Sequence, residues 1–434
     1  MQVIFKGWEK TGSMDLEATE MAVREAMHSA GAAILTVLLE EEPPATRTID
    51  CPCGGTAEYL ELRPKSILTA LGKAQMVRAY YLCRKCHTGQ APMDKELDVE
   101  KTEFSPGVRR MMALTGYDSP FDSGRKNMKV LAGLTVTAKA VERVGESIGT
   151  DIAQWRGSQM TDIMDAKNAE TVENGEAIPI MYIEIDGTGV PIVSWELDQS
   201  KPGKQGDRPR GREARLGCVF TQTSVNEEGR PIRDPFSTTY TGAIETAEEF
   251  GRRIYAEARR RGLDRAKMVV VIGDGAPWIW TIVRTHFPGA VEILDLYHAR
   301  EHLWNLAAKL FPSDEVGRKR WVKRFQHKLD NGKIEELVRE LRSIRTTKKG
   351  LRKAIQTEAD YYEKNADRIR YPDFKRQHLF VGSGVIEAGC KTVIGSRLKG
   401  SGMFWTIRGA NAILALRCAI LSHDFDDYWE SRRA

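Results

Sequence analysis

The sequence lacks a hydrophobic run long enough to cross a lipid bilayer, which takes about 20 apolar residues. Its longest apolar stretches, near residues 32–39 and 412–421, are short or interrupted. The N-terminus has no basic segment followed by an apolar one, so no secretory signal is indicated and we expect a cytoplasmic protein. Cysteine is also scarce: four of the seven residues lie close together, which suits a metal site better than a set of disulfides.

Charged residues are abundant but unevenly distributed. The composition, 41% hydrophobic and 29% charged, is that of a globular protein, and 434 residues are too many for one core, so we expect two to four domains. Residues 1–50 contain four basic and nine acidic side chains, whereas residues 300–376 contain 21 basic and 12 acidic ones. This asymmetry indicates a polyanionic partner, although charged helix faces are more often simply solvated.

Four cysteines, Cys51, Cys53, Cys83 and Cys86, flank two strand-like runs. Paired thiols on two tight turns can supply four thiolates to zinc. The second pair has the usual C-x-x-C spacing; the first is a shorter C-x-C, which leaves His87 as an alternative ligand. Because a module of about forty residues needs such a cross-link, we predict a structural zinc ribbon, with chance clustering or a redox pair as the alternatives.

Helical patterns lie on both sides of the ribbon. Residues 14–42 predict an amphipathic helix whose acidic character argues against DNA contact, so it either packs on its own chain or mediates self-association. Residues 127–149 have the helix, glycine turn and second helix of a helix-turn-helix; an ordinary helical hairpin is the alternative.

From residue 178 the pattern changes to strands that carry acidic residues. Three strands, a helix, a strand, a helix and a strand predict a mixed sheet flanked by helices. Asp186 lies on the first strand, with Glu184 on the same face as its alternative, and Asp274 follows the apolar run ending in Gly273. Glu387 falls in the first turns of a later helix, for which Ser383 is the candidate N-cap.

These three carboxylates suggest metal chemistry. Phosphodiester transfer uses two divalent cations about 3.5–4 Å apart, and Mg²⁺ prefers carboxylate oxygens and water. Acids from three separate elements of a sheet can hold that spacing. The ordinary alternatives are two turn aspartates and a first-turn glutamate favoured by the helix dipole.

The order of these motifs resembles DDE transposases of the bacterial ISKra insertion-sequence family, within the Mutator-like superfamily. The motifs are Ile185-Asp186-Gly187, Ile272-Gly273-Asp274-Gly275, Asp295-Leu296-Tyr297-His298, a long helical insertion, and Ser383-Gly384-Val385-Ile386-Glu387. The resemblance covers most of the chain and implies an RNase H-like core interrupted by an all-α insertion. It also implies that Asp186, Asp274 and Glu387 bind two Mg²⁺ or Mn²⁺ ions and that Asp295 and His298 act with them as a D-x-x-H signature.

Together these patterns and the resemblance predict six segments. They are an N-terminal helix (1–48), a zinc ribbon (49–92), a helical DNA-binding region (93–172), the first part of an RNase H-like core (173–299), a basic all-helical insertion (300–378) and the closing helices of the core (379–434).

The expected function is that of a nucleoid-associated transposase. It would bind the terminal inverted repeats of double-stranded DNA, cleave strands and transfer them to target DNA, as a homodimer or larger complex by analogy. Predicted DNA contacts are Lys201, Lys204, Arg208, Arg210, Arg212, Arg215, Lys391, Arg397, Lys399, Trp405 and Arg408. The alternatives are an RNase H-like nuclease or resolvase without strand transfer and a non-catalytic zinc-ribbon regulator.

Overall fold

The computed structural model describes residues 9–10, 13–165, 176–197 and 211–432. The chain divides into two compact units, Met1–Ile148 and Gly149–Ala434, each of which is described by itself. No helix in the described part is long and apolar enough to cross a membrane.

The first unit combines a long β-hairpin with helices. Its strands are β1 (Glu9–Lys10), β2 (Ser13–Met14), β3 (Thr48–Asp50), β4 (Thr56–Thr69), β5 (Gly72–Cys83) and β6 (Gly89–Gln90). Its helices are α1 (Leu16–Leu38), α2 (Pro92–Glu96), α3 (Pro106–Gly116), α4 (Phe121–Ala132) and the first part of α5 (Ala138–Asp165).

The hairpin of β4 and β5 organises this unit. The strands β3, β4, β5 and β6 pair in that order, all antiparallel, and the pairing of β4 with β5 shifts between Tyr59 and Glu61. Ile67, Ala74 and Met76 near the hairpin turn form a small core to which α1 contributes Leu35 and Leu39.

The predicted pair of helices is present at α4 and α5. Gly133 ends α4 in the left-handed conformation, at φ 69°, and the Thr137 hydroxyl accepts a hydrogen bond from the Ala140 amide at 3.0 Å. Sequence spacing therefore predicted the glycine turn correctly, whereas the shape alone does not distinguish a DNA-binding motif from a helical hairpin.

The second unit is built on a five-stranded mixed sheet. Its strands are β7 (Ile178–Pro191), β8 (Gly211–Gln222), β11 (Thr239–Ala243), β12 (Ala266–Gly273) and β13 (Val291–Leu294), in the spatial order β11-β8-β7-β12-β13. β8 pairs antiparallel with both β7 and β11, whereas β12 pairs parallel with both β7 and β13. A short hairpin of β9 (Ser224–Val225) and β10 (Pro231–Ile232) extends from β8. The mixed sheet flanked by helices is thus as the sequence predicted.

Helices connect and cover this sheet. They are α6 (Ala247–Arg260), α7 (Pro277–His286), α8 (Leu296–Leu310), α9 (Glu315–Asp330), α10 (Ile334–Ser343), α11 (Lys349–Lys364), α12 (Tyr371–Arg376), α13 (Gly384–Gly389), α14 (Ser396–Leu398), α15 (Ile407–Leu421) and α16 (Phe425–Ser431). A π-helical segment, Cys390–Gly395, joins α13 to α14 without a break. Between α8 and α12 the described chain is helical, as expected for the insertion.

A buried ion network joins α5, α6 and the start of α16. Glu257 of α6 is bonded to Arg260 at 2.7 Å and lies 3.7 Å from Arg156 of α5, and both arginines also contact Asp424. Burial alone would raise the pKa of Glu257, but the two arginines outweigh it and hold that pKa below its ordinary value.

Candidate active site and metal centre

Two of the three predicted acids come together through strand pairing. The last parallel pair between β7 and β12 is Ile185 with Gly273, so Asp186 and Asp274 are the next residue on each strand. Neighbouring strands are about 4.8 Å apart, which brings these two aspartates side by side at the carboxyl end of β12. Ligands of open α/β sheets bind at this end of the strands.

Backbone geometry fixes the turn that carries Asp274. Gly275 has φ +94°, and a Cβ atom there would lie 2.8 Å from Leu294, so only glycine fits without strain. The Asp274 Oδ1 atom accepts the Ala276 amide at 2.8 Å, and Asp186 Oδ1 accepts the Gly187 amide at 2.7 Å. Both aspartates are half-buried.

The third acid is carried by α13, which packs on the same part of the sheet. Glu387 is half-buried, and its Oε1 atom accepts the Ser383 hydroxyl at 3.4 Å. The Cys390 thiol, one turn further on, is close enough to Asp186 and Glu387 for both carboxylates to act on it electrostatically. Burial first and then these carboxylates raise the pKa of Cys390, so the thiol stays protonated. Asp186 and Glu387 therefore both lie near Cys390.

Glu184 is the most deeply buried acid of the site. It has no exposed surface, and its Oε2 atom accepts the Ile386 amide at 2.8 Å, while Oε1 has no hydrogen-bond partner among the described residues. Burial raises the pKa of Glu184 to about 8. Its position inside the packing contrasts with the half-exposed Asp186, which makes Asp186 the better candidate of the two for contact with a ligand.

Asp295 and His298 lie at the start of α8. Asp295 is fully buried; its Oδ1 atom accepts the His298 amide and its Oδ2 atom accepts the Ser383 amide, both at 2.6 Å. Its own amide donates to Gly273 O at 2.8 Å. Because both carboxylate oxygens bind backbone amides, Asp295 connects elements of the site, whereas the half-buried ring of His298 is the accessible member of the pair.

The chemistry of these donors fits Mg²⁺, although the three carboxylates do not form a closed cage. Carboxylate oxygens are the ligands that Mg²⁺ takes from proteins, usually with water and phosphate completing the shell. In the described part of the chain, however, the four ribbon cysteines are the only group of three or more such side chains close enough to hold an ion together. Any shared site at Asp186, Asp274 and Glu387 thus depends on oxygens from water or a substrate.

The helical insertion also reaches this site. The Tyr361 hydroxyl of α11 donates to the Asp274 carbonyl at 3.3 Å, and its ring stacks on His302 with centroids 3.9 Å apart. His302 in turn lies 2.7 Å from a carboxylate oxygen of Glu358. Tyr361 and Glu358 were not singled out in the sequence because their partners are distant in the chain and no local spacing relates them.

The predicted DNA contacts differ from one another in their exposure to solvent. Lys391, Lys399 and Arg408 are exposed, and the Lys399 ammonium donates to Thr188 on β7, two residues beyond Asp186. Arg212 is half-buried, and Lys201, Lys204, Arg208 and Arg210 lie outside the described residues.

Two of the proposed contacts are corrected by burial. Arg397 and Trp405 are only 1% and 6% exposed, and the guanidinium lies 4.9 Å from the indole ring centre. The indole N–H donates to the Leu398 carbonyl at 3.1 Å, so the pair stabilises the closing loop from inside. Arg215 is likewise engaged, by Glu213 and the Trp278 ring. Phe404, at 63% exposure, is the aromatic side chain of this loop that solvent reaches.

The ribbon cysteines meet at the open end of the hairpin. The sulfurs of Cys51 and Cys86 are 3.6 Å apart and those of Cys53 and Cys83 are 3.7 Å apart, and all four lie within 4.8 Å of one another. A tetrahedral zinc site with Zn–S bonds of about 2.3 Å has sulfurs about 3.8 Å apart, so these residues fit zinc. Hydrogen bonds from Thr88 lower the pKa of Cys86 to about 6, which favours the thiolate.

Two local conformations explain the short first pair. Gly54 adopts φ +73°, and its amide donates a hydrogen bond to the Cys51 carbonyl at 2.9 Å. This bond closes a turn tight enough for the C-x-C spacing. His87 follows the second pair in the left-handed region, at φ 56°, and does not belong to the metal-binding group. All four cysteines, rather than His87, therefore form the candidate site.

Comparisons with known proteins give little beyond this geometry. No protein-family model matches the chain, and no curated protein matches it. Among solved structures, the chain is similar to the Drosophila P element transposase strand transfer complex, with 8% sequence identity, a TM-score of 0.25 and coverage of 79% of this chain and 84% of that one. At this identity and score, the similarity does not define a family.

Proposed function

We propose that the protein is a metal-dependent DNA transposase with an RNase H-like core, of the ISKra type that the sequence motifs resemble. The observation that carries the proposal is the parallel pairing of β7 with β12, which sets Asp186 beside Asp274. The bond from the Ile386 amide to Glu184, two residues before Asp186, holds the helix of Glu387 against the same strand. Three carboxylates on three elements are the type of donor that holds divalent cations at a phosphodiester, with water and phosphate oxygens completing the shell.

In this proposal Asp186, Asp274 and Glu387 would hold Mg²⁺, and the bound ions would supply an activated oxygen nucleophile and stabilise the leaving oxygen. Water adds to the phosphorus at the element end, and the 3′-oxygen leaves as a hydroxyl group. That hydroxyl then attacks a phosphorus of target DNA and displaces a target 3′-oxygen, so one phosphodiester forms as another breaks. We assign the transfer of a proton to His298, whose side chain is half-buried.

Basic residues around the site would hold the DNA backbone. Lys391, Lys399 and Arg408 are exposed on the elements that carry or flank Glu387. An open groove on the insertion adds Lys309, Arg345, Lys348 and Arg352. Such contacts are insensitive to sequence and screened by salt, so recognition of the inverted repeats is assigned to the zinc ribbon and the helical region.

The test uses labelled DNA from the ends of the element that encodes the protein. With Mg²⁺ or Mn²⁺, cleavage followed by joining to target DNA is the expected result. Cleavage without joining would assign a nuclease or resolvase, and shifted but intact DNA would assign a regulator.

Substitution of the central acid tests the triad itself. Asp274→Asn should reduce cleavage by several orders of magnitude while DNA binding persists, because the amide removes a charged metal ligand but keeps the shape. Asp264→Asn, at a surface aspartate paired with Arg259 in the same unit, is the matched control and should cleave normally. Full cleavage by Asp274→Asn would overturn the assignment of all three acids.

A further inference from the structure

The N-terminus of α13 is capped in an unusual way. In a capping box, the amide of the N-cap residue and the amide three residues later are bonded by side chains of the same helix turn. Helix α6 does this with Thr246 and Glu249. In α13 the corresponding residues are Ser383 and Ile386, and the Ser383 side chain makes no capping bond.

Two buried acids from elsewhere take over both bonds. Asp295 Oδ2 accepts the Ser383 amide at 2.6 Å, and Glu184 Oε2 accepts the Ile386 amide at 2.8 Å. Neither acid has exposed surface. Ser383 is thus the N-cap residue that the sequence indicated, but its side chain does not cap the helix, because Glu184 accepts the Ile386 amide in its place.

Each of these acids belongs to the backbone that carries another member of the triad. Glu184 is on β7, two residues before Asp186 and on the same face of the strand. Asp295 is tied by its amide to the carbonyl of Gly273, the residue before Asp274. The two side chains thus connect α13 separately to the strand of the first aspartate and to the strand of the second.

This arrangement is costly for stability alone. A buried carboxyl group, charged or neutral, loses its hydration, and one oxygen of Glu184 has no partner within the described residues to compensate for that loss. A serine with a glutamate three residues later would satisfy the same amides at the surface, at no such cost. What the buried acids add is a fixed position of α13 relative to β7 and β12.

We propose that Glu184 and Asp295 are a pair of positioning residues that set the place of Glu387 relative to Asp186 and Asp274 through the amides of Ile386 and Ser383. The inference rests on the proposed function for its catalytic consequence, but not for the positioning itself. Neither residue is assigned contact with metal or DNA.

Hydrogen exchange on the full-length protein, read by mass spectrometry, tests the positioning. Glu184→Leu should speed exchange in the segment 383–390, whereas Glu184→Gln, which keeps an oxygen acceptor, should leave it close to wild type. The matched control is Thr239→Val, which removes a buried hydrogen bond to Glu257 in the same unit and should not alter this segment.

The outcomes are separable. Unchanged exchange in Glu184→Leu, or equal loosening in Glu184→Gln, would overturn the proposal. If Glu184→Leu does not fold, Asp295→Asn takes its place, since its amide group opposes one of the two backbone N–H donors. Unchanged hydrogen exchange of the segment 383–390 in Asp295→Asn would also overturn the proposal.

The catalytic consequence is read from metal dependence. In Glu184→Leu the cleavage rate should fall on the order of 100-fold, as for a small displacement of a reacting group, and half-maximal cleavage should need more Mg²⁺. DNA affinity should not change, and Glu184→Gln should restore most of the rate. Wild-type protein that cleaves no DNA would count against the transposase alone, whereas loosened exchange with unaltered Mg²⁺ dependence would overturn the positioning of Glu387.

Discussion

Replacing Cys83 with serine should remove one zinc ion from each chain. The side chain is fully buried, and its sulfur lies 3.7 Å from that of Cys53, close to the separation of about 3.8 Å in a tetrahedral zinc–thiolate site. A serine oxygen is a poor substitute for a thiolate. We expect one zinc per wild-type chain and none in the variant, measured by elemental analysis after gel filtration.

The effect on stability should be large at this end of the hairpin. Its core consists of Cys51, Ala57, Ala79, Tyr81 and Cys83, so two of its five buried members are themselves cysteines of the candidate site. Structural zinc binding contributes about 10–16 kcal/mol in small zinc modules at neutral pH. So small an apolar core cannot replace that contribution, and the ends of β4 and β5 should lose protection from hydrogen exchange.

A matched variant separates loss of zinc from loss of a buried thiol. Cys218→Ser makes the same chemical change at a fully buried cysteine of β8, which lies outside the metal-binding group. It should keep its zinc and the protection of β4 and β5. Wild-type zinc content in Cys83→Ser would refute the four-cysteine site, and zinc loss in Cys218→Ser would show that the measurement reports unfolding instead.

Three further predictions concern the second unit. The pKa of Glu257 is held below its ordinary value of 4.5. Its contribution to the stability of the fold is therefore complete above pH 4.5 and is lost as the pH falls through the lowered pKa. Glu257→Gln should cost about 3–5 kcal/mol at pH 7 and flatten the acid limb of stability, in urea titrations from pH 3 to 7; an unchanged acid limb would contradict this. Tyr361→Phe removes the hydrogen bond to the Asp274 carbonyl and should lower the free energy of unfolding by about 1 kcal/mol. It should also slow cleavage in single-turnover assays and leave DNA affinity unchanged in binding assays. Lys399→Ala should reduce the slope of log affinity against log salt by about 1; an equal slope would exclude a phosphate contact.

The elements of the sheet were predictable because each has a strong local signal. The run before Asp274 is apolar at successive positions, as in strands buried on both faces, and the glycine after it is required by the positive φ. Helix α6 was equally clear, as the helix between the third and fourth predicted strands. The boundary of β13 was less so: Leu294 ends the strand, and Asp295 begins the next helix as its cap.

The surface roles of the closing loop were not predictable from composition. The run from Arg397 to Arg408 is basic and aromatic, which is typical of a DNA-binding loop, yet the structure buries Arg397 and Trp405 against each other and exposes Phe404. A cation and an aromatic ring have the same sequence signal whether they contact DNA or each other. Whether such a pair contacts DNA or packs inside the protein depends on how the surrounding chain buries it.

The second and third acids are separated by the whole insertion, and the structure shows why this distance does not loosen their relation. The chain leaves the sheet after Leu294 and returns at Val381, where the Leu296 amide donates to the Val381 carbonyl at 2.9 Å. Asp295 therefore holds both ends of the insertion: its amide bonds the strand of Asp274 and its carboxylate bonds the amide of Ser383. Because these bonds join the two ends of the insertion at the sheet, the helices between them can differ in length without moving Glu387. Loss of the Asp295 side chain should therefore disturb the site more than a comparable substitution in α9 or α10.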